Sequence, residues 1–289
     1  MSERLFLRLA DDPVHAPEAT VPEGTLRAWK LQPALDAHVA HLLAYRERIA
    51  PGEEVVERVL PDGAVRLIFN LGDVPKVSQG ARPALEAVGA SAEPVLVRLR
   101  GRVEGLSLAL RPGATAALLG VPAGELRGHA VPLALLWAAD GAEVEERLAA
   151  AVDDSARVAL IDSLLMRRLR RHAVAPSRTV RRAVQLITAR SGLDSLRALA
   201  AEVGVGERRL QQLFHAEVGL SPRTFSRLAR LHGCLRALRE RPILAWAELA
   251  QHSGYYDQSH LANEFRALCG LTPSEFMARR VSRSSKTTA

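Results

Sequence analysis

Arg208–Phe225, RRLQQLFHAEVGLSPRTF, and Ser259–Phe276, SHLANEFRALCGLTPSEF, carry one pattern twice. At an offset of 51 they match at Leu210/Leu261, Phe214/Phe265, Gly219/Gly270, Leu220/Leu271, Ser221/Thr272, Pro222/Pro273 and Phe225/Phe276. Upstream the offset is 50, pairing Leu199/Leu249, Ala200/Ala250 and Gly204/Gly254, so the second copy has one extra residue in its turn. A repeat of this length is a supersecondary unit used twice.

Each unit reads as a helix-turn-helix, at 195–218 and 245–269. A short helix (Ser195–Glu202, or Ala245–His252) stops at a glycine, which supplies the left-handed backbone of a tight interhelical turn. A second helix follows, Glu207–Val218 or Gln258–Cys269, with Asp257 a good N-cap for the latter. Leu210 and Phe214, like Leu261 and Phe265, lie four apart and turn inward. The outer faces are polar: Arg208, Arg209, Gln211, Gln212 and His215 in one copy, Gln258, Ser259, Ala262, Asn263 and Arg266 in the other. Arg, Gln and Asn pair with base edges in the major groove, and a second helix presenting them is how such a unit reads DNA. Thr272-Pro273-Ser274-Glu275 is a capping box. Pro222–Arg239 reads as a long connecting helix of roughly 27 Å at ~1.5 Å per residue, enough to hold two readers about one turn of DNA apart, ~34 Å. A scaffold built from repeated helical hairpins is the other reading of such a repeat, and charge argues against it.

The chain has 289 residues and net charge +7, all of the excess in the last third. From Arg178 to the end there are 18 Lys+Arg and 9 Asp+Glu, and before it 21 and 23. That asymmetry is the footprint of a nucleic-acid-binding domain attached to a neutral one. No apolar run reaches the ~18 residues of a membrane span, and the N-terminus lacks a secretory h-region. The expectation is a cytoplasmic protein with no membrane partner. Cys234 and Cys269 read as small apolar fillers on helices.

Ahead of the repeat the pattern is mixed. Residues 1–25 read as an extended lead-in, and Leu35–Ile49 as a helix from its apolar spacing. Val55–Leu60 and Val65–Leu71, around Pro61-Asp62-Gly63, read as strand, turn, strand. Pro94–Val103 and Leu106–Leu110 read as strands, Ala114–Leu119 and Ala123–Leu126 as short helical pieces, Glu143–Val152 and Ala156–Arg171 as helices. HAVAPS at 172–177 reads as the boundary. The fold class is α+β: a mixed N-terminal sheet-and-helix domain at 1–172, built on a small sheet, then an all-α domain at 178–282 with two helix-turn-helix units joined by a long helix.

The motif Ala250-x3-Gly254-Tyr-Tyr-Asp257-Gln258-Ser-His260-Leu-x3-Phe265-x4-Gly270-x-Thr272-Pro273-x2-Phe276 resembles the C-terminal signature of the AraC/XylS family of bacterial transcription regulators. The resemblance covers about 100 residues. It implies a seven-helix DNA-binding domain, a promoter operator as ligand, and action mainly as an activator engaging RNA polymerase. Carried over by position, base reading falls on Arg208, Gln211 and Gln212, and on Gln258, Ser259, Ala262 and Asn263. Gly206 stands where the family has Ser as N-cap, Ala262 offers a base only a methyl contact, and Asn263 and Glu264 are less basic than common choices. The first unit is therefore expected to carry more specificity. Leu60-Pro61-Asp62-Gly63, Leu67–Asn70, Leu110–Gly113, Leu118–Pro122, Val131-Pro132-Leu133 and Leu136-Trp137 are similar to an uncharacterised domain that precedes such DNA-binding domains.

Other candidates are weaker. His38-x2-His41 on a helix shares a metal only with further ligands, and none stands at clear spacing. Asp62 reads as a turn residue, Trp137 and Trp246 as core. No catalytic arrangement, metal site or cofactor pattern is found, so the chain does not read as an enzyme. Two readings of the N-terminal domain stay open: a small-molecule sensor with a pocket between sheet and helices, or a dimerisation or partner-binding module using the 143–171 helices, with a homodimer and no effector. An apolar cavity lined from both sheet and helix favours the first, and a flat apolar face on 156–171 the second.

Overall fold

The computed structural model describes residues 3–7, 21–22, 24–77, 83–172, 176–240 and 245–284. The first part is built on two β-sheets. One has the order β1-β4-β8-β6: β1 (Glu3–Phe6), β4 (Val55–Val59), β8 (Val95–Leu99) and β6 (Lys76–Val77). The other runs β10-β7-β5-β9-β3-β2: β10 (Ala130–Pro132), β7 (Leu85–Val88), β5 (Arg66–Asn70), β9 (Arg102–Leu110), β3 (Val39–Arg48) and β2 (Leu26–Trp29). Only the β1–β4 pairing is parallel among the described strands. The Pro61-Asp62-Gly63 turn therefore carries the chain from one sheet to the other rather than closing a hairpin. Asp62 serves that turn by accepting from Ala64 N at 3.0 Å and from Arg66.

Residues 35–49 depart from the expected helix. A single 3-10 turn, Pro33–Leu35, leads into the ten-residue strand β3. Both faces of β3 are covered. Leu42 and Ala44 enter the main core, while Leu43, Tyr45 and Glu47 face a cavity between the sheets. Burial on both sides removes the alternation that marks a half-exposed strand. His38 and His41 are consequently not helical neighbours: His41 lies on β3, beside Arg66. Of the 1–25 lead-in, Glu3–Phe6 is a sheet strand and residues 8–20 lie outside the described residues, as do 173–175 of the expected boundary.

The outer face of the larger sheet, through Leu67, Phe69, Leu106 and Leu108, packs against short helices α1 (Thr115–Leu119), α2 (Ala123–Leu126) and α3 (Leu133–Trp137). Trp137 is fully buried, donating to Leu118 O at 3.1 Å. Helices α4 (Ala139–Ala150) and α5 (Asp154–His172) follow, and α5 buries Ile161, Leu164 and Leu165. Glu104 of β9 ties the start of α5 to the sheet through Arg157 at 2.6 Å.

Seven helices make the second part, among the described residues: α6 (Arg178–Ala189), α7 (Leu196–Glu202), α8 (Glu207–Val218), α9 (Pro222–Glu240), α10 (Trp246–His252), α11 (Gln258–Cys269) and α12 (Pro273–Ser284). Leu210, Phe214, Leu261 and Phe265 are all completely buried. Gly204 and Gly254 both have φ +72°, so the two turns share one left-handed backbone. Cys234 and Cys269 are buried and in no disulfide among the described residues.

Candidate functional site

The two second helices, α8 and α11, start differently. Asp257 caps α11, its carboxylate accepting from His260 N at 2.7 Å. Gly206 precedes α8 and supplies no side-chain cap. Behind α11, Thr272 Oγ1 accepts from Glu275 N at 3.2 Å and Glu275 accepts from Thr272 N at 2.7 Å, the capping box expected there.

Along α8, Arg208, Arg209, Gln211 and Gln212 are exposed together. Among the described residues neither Arg208 nor Arg209 enters an ion pair, though the charge of Arg209 is felt by Glu217. By contrast Arg190, which is not on this face, is held by Glu202 at 2.6 Å and Asp194 at 2.9 Å. His215, the last residue of the expected reading face, is exposed by area but lies against α2: a Cβ on Gly124 would come within 2.6 Å of its ring. Along α11, Gln258, Ser259, Asn263 and Arg266 are exposed and Ala262 is half-buried. Glu264 faces inward to Arg227 of α9, in a two-toothed pair at 2.8 and 3.0 Å. Its lack of basic character thus serves packing between helices.

Three exposed residues flanking these helices were not singled out from the sequence. Arg197 on α7 and Arg223 in the first turn of α9 enter no ion pair among the described residues, and Tyr256, in the turn before α11, is 90% exposed. The signal available for Arg223 was its place right after Ser221-Pro222, at a helix start.

Both units lean on the sheets at the ends of their second helices. At α8, Gly113 N donates to Glu217 O at 2.9 Å, and the Glu217 carboxylate accepts from Ser177 N at 3.0 Å. Burial raises the Glu217 pKa above the usual carboxylate range, with the Ser177 bond and Arg209 opposing. At α11, Arg58 of β4 donates to Cys269 O at 3.3 Å, a cation at a helix C-terminus. Between them the Pro61–Gly63 turn meets α9, where the buried His232 ring donates to Pro61 O at 3.0 Å. Burial pushes the His232 pKa down to about 4.

Between the sheets lies a second feature, a partly open cavity of about 200 Å³ lined from both. Its wall is mostly apolar, with Tyr45, Glu47, Glu57, Asn70 and Glu86 among the polar exceptions. Tyr45 donates to Asn70 Oδ1 at 2.6 Å, and burial first, then the Glu86 and Glu57 charges, raise its pKa above the ordinary phenol value. Glu57 was not noticed in the sequence. The signal was there: in Val55-Val-Glu57-Arg-Val59 it shares a strand face with two valines. A larger cleft of about 360 Å³ lies between the halves, lined by Asp36, Arg111, Arg181 and Arg236 among others.

Residues 199–279 match the family described as "Helix-turn-helix domain", and residues 31–132 match a "Domain of unknown function (DUF6597)". No curated protein matches the chain. Among solved structures it is similar to ToxT from Vibrio cholerae at 9% identity, covering 82% of this chain and 98% of that one, with a TM-score of 0.44. It is also similar to unsaturated fatty acid bound wild-type ToxT from Vibrio cholerae strain SCE256, at 10% identity, 86% and 96% coverage and a TM-score of 0.42. With two glycine-turned units in tandem and a family match over the second and most of the first, the chain is a DNA-binding regulator with a helix-turn-helix domain of the AraC type, preceded by a domain of unknown function.

Proposed function

We propose that this regulator reads a two-box operator with α8 and α11, and that the sheet half senses a small molecule in the cavity between the sheets. The observation that carries the DNA reading is the joint exposure of Arg208, Gln211 and Gln212 on α8, with Gln258, Ser259 and Asn263 on α11. Arg pairs with guanine O6 and N7, Gln and Asn with adenine N6 and N7. Ala262 offers its methyl to a thymine. Arg197, Arg209, Arg223 and Arg266 are placed to neutralise phosphates, which position the protein without reading sequence.

Binding-site selection from random duplexes, followed by titration at fixed salt, tests this. Arg208→Ala or Gln212→Ala is expected to weaken the selected site by ~1–3 kcal/mol and relax one base position. Arg223→Ala is expected to weaken all sequences alike and to lower the salt slope by about one. A protein that selects no consensus would sink the proposal.

The sensing reading is supported by a mostly apolar cavity with a few polar groups in its wall, although it lies between two sheets and not between sheet and helices as expected. The 156–171 helix does not favour the alternative, because its apolar residues Ile161, Leu164 and Leu165 are buried. Activation through RNA polymerase, in the cytoplasm, is proposed on the family resemblance; among the described residues no helix is long and apolar enough to cross a membrane.

A further inference from the structure

The polar groups around the cavity between the sheets are unevenly matched. Glu47 is taken by Arg4, which reaches across from β1 in a two-toothed pair at 2.5 and 2.6 Å. Arg66 is held by Asp62, and the Tyr45 hydroxyl by Asn70. Glu57 lines the same cavity, and among the described residues its carboxylate accepts no hydrogen bond. Leu43, Ile68, Val88 and Val97 line the cavity with hydrocarbon. Glu57 is half-buried in this apolar wall, and partly withdrawing a carboxylate from water without a donor is costly. Burial, assisted by Glu47 and opposed by Arg4, raises the Glu57 pKa to about 7. An anionic ligand would meet this carboxylate unfavourably, a neutral one would leave it uncompensated, and a cation would satisfy it.

We propose that the cavity binds a small organic cation, an ammonium group on a compact apolar body, with the ammonium donating to Glu57. This rests on the sensing reading above and gives it a ligand class. Size narrows the class. An apolar cavity of ~150 Å³ holds benzene, so about 200 Å³ takes a single ring with a short aminoalkyl arm. The ring lies against the valines and Ile68, and the Tyr45–Asn70 pair flanks the polar end.

Binding also couples to protons. The charged and titratable groups around Glu57 are Arg4 on β1, Glu47 and Tyr45 on β3, Arg66 on β5 and Glu86 on β7, while the cavity residues of β6 and β8 are apolar. A bound ammonium fixes Glu57 as carboxylate, so complex formation releases a proton wherever free Glu57 is protonated. With its pKa at about 7, amine affinity is expected to fall about tenfold from pH 8 to pH 6.

Calorimetric titration of the full chain with 2-phenylethylamine, 2-phenylethanol and 3-phenylpropanoate tests the assignment. The amine is expected to bind at least about tenfold tighter than the alcohol, as a charge-assisted bond warrants, with the carboxylate weakest. Glu57→Gln is expected to abolish the amine's advantage and its pH dependence while leaving alcohol binding intact, which also shows that the variant is folded. If the alcohol or the carboxylate binds as well as the amine, the cation assignment is overturned and the cavity remains a sensor. If none of the three binds, the sensing reading falls with it.

Discussion

Gly105 of β9 sits directly under the Tyr45 ring, and any Cβ there would overlap both the Tyr45 hydroxyl and the Phe69 carbonyl. The Tyr45–Asn70 hydrogen bond at the cavity's polar end depends on that close approach. Gly105→Ala is expected to destabilise the protein by about 1–3 kcal/mol, as overpacking does, measured by urea unfolding. Tyr45→Phe leaves Asn70 without its donor and is expected to cost about 1–2 kcal/mol. Neither contact was legible in the sequence, because each joins residues 25 or more positions apart on different strands. Glu57 was half-legible, as a carboxylate on an otherwise apolar strand face. The exposure of Arg208, Arg209, Gln211 and Gln212 on α8 was legible, since on a helix with one buried stripe the spacing of Leu210 and Phe214 fixes which side chains face outward.

At the level of elements, the two readers differ in their first turn. Gly206 has extended backbone (φ −74°, ψ 154°) and open space around it, a geometry that serine adopts without strain. Gly206→Ser is expected to add about 0.5–1 kcal/mol by capping α8 and restricting the unfolded chain. Asp257→Ala is expected to cost about 1 kcal/mol at α11. Thermal unfolding read alongside hydrogen exchange at 207–212 and 258–263 checks both. Helices with caps and one apolar stripe were read nearly to the residue, while β3 was misread as a helix because its two faces are both covered. Short strands such as β6 and β7 escaped for a related reason: their partners, not their own composition, make them strands.

Across the whole molecule, the His232–Pro61 contact joins the halves through a buried group that resists taking up a proton. Its pKa falls from the ordinary 6.5 to about 4, with Asp62 favouring and Arg236 disfavouring the charged form. Between those values the opened chain binds a proton that the closed one refuses, so stability is full above pH 6.5 and declines as pH falls toward 4. The decline amounts to about 3 kcal/mol at most, at ~1.4 kcal/mol per unit, and His232→Gln is expected to remove that part of it in unfolding titrations at pH 7, 6 and 5. Such contacts lie between segments 171 residues apart, which no local pattern records. Arg58 at the end of α11 and Gly113 at the end of α8 fasten both readers to the same pair of sheets. Rigid mounting has a consequence for the operator itself. Each added base pair between the two boxes rotates the second by about 34–36° around the duplex axis. A tethered pair of readers would follow that rotation, but a bolted pair cannot, so one inserted base pair should cost as much as erasing a box, and about ten should restore the phase though not the reach.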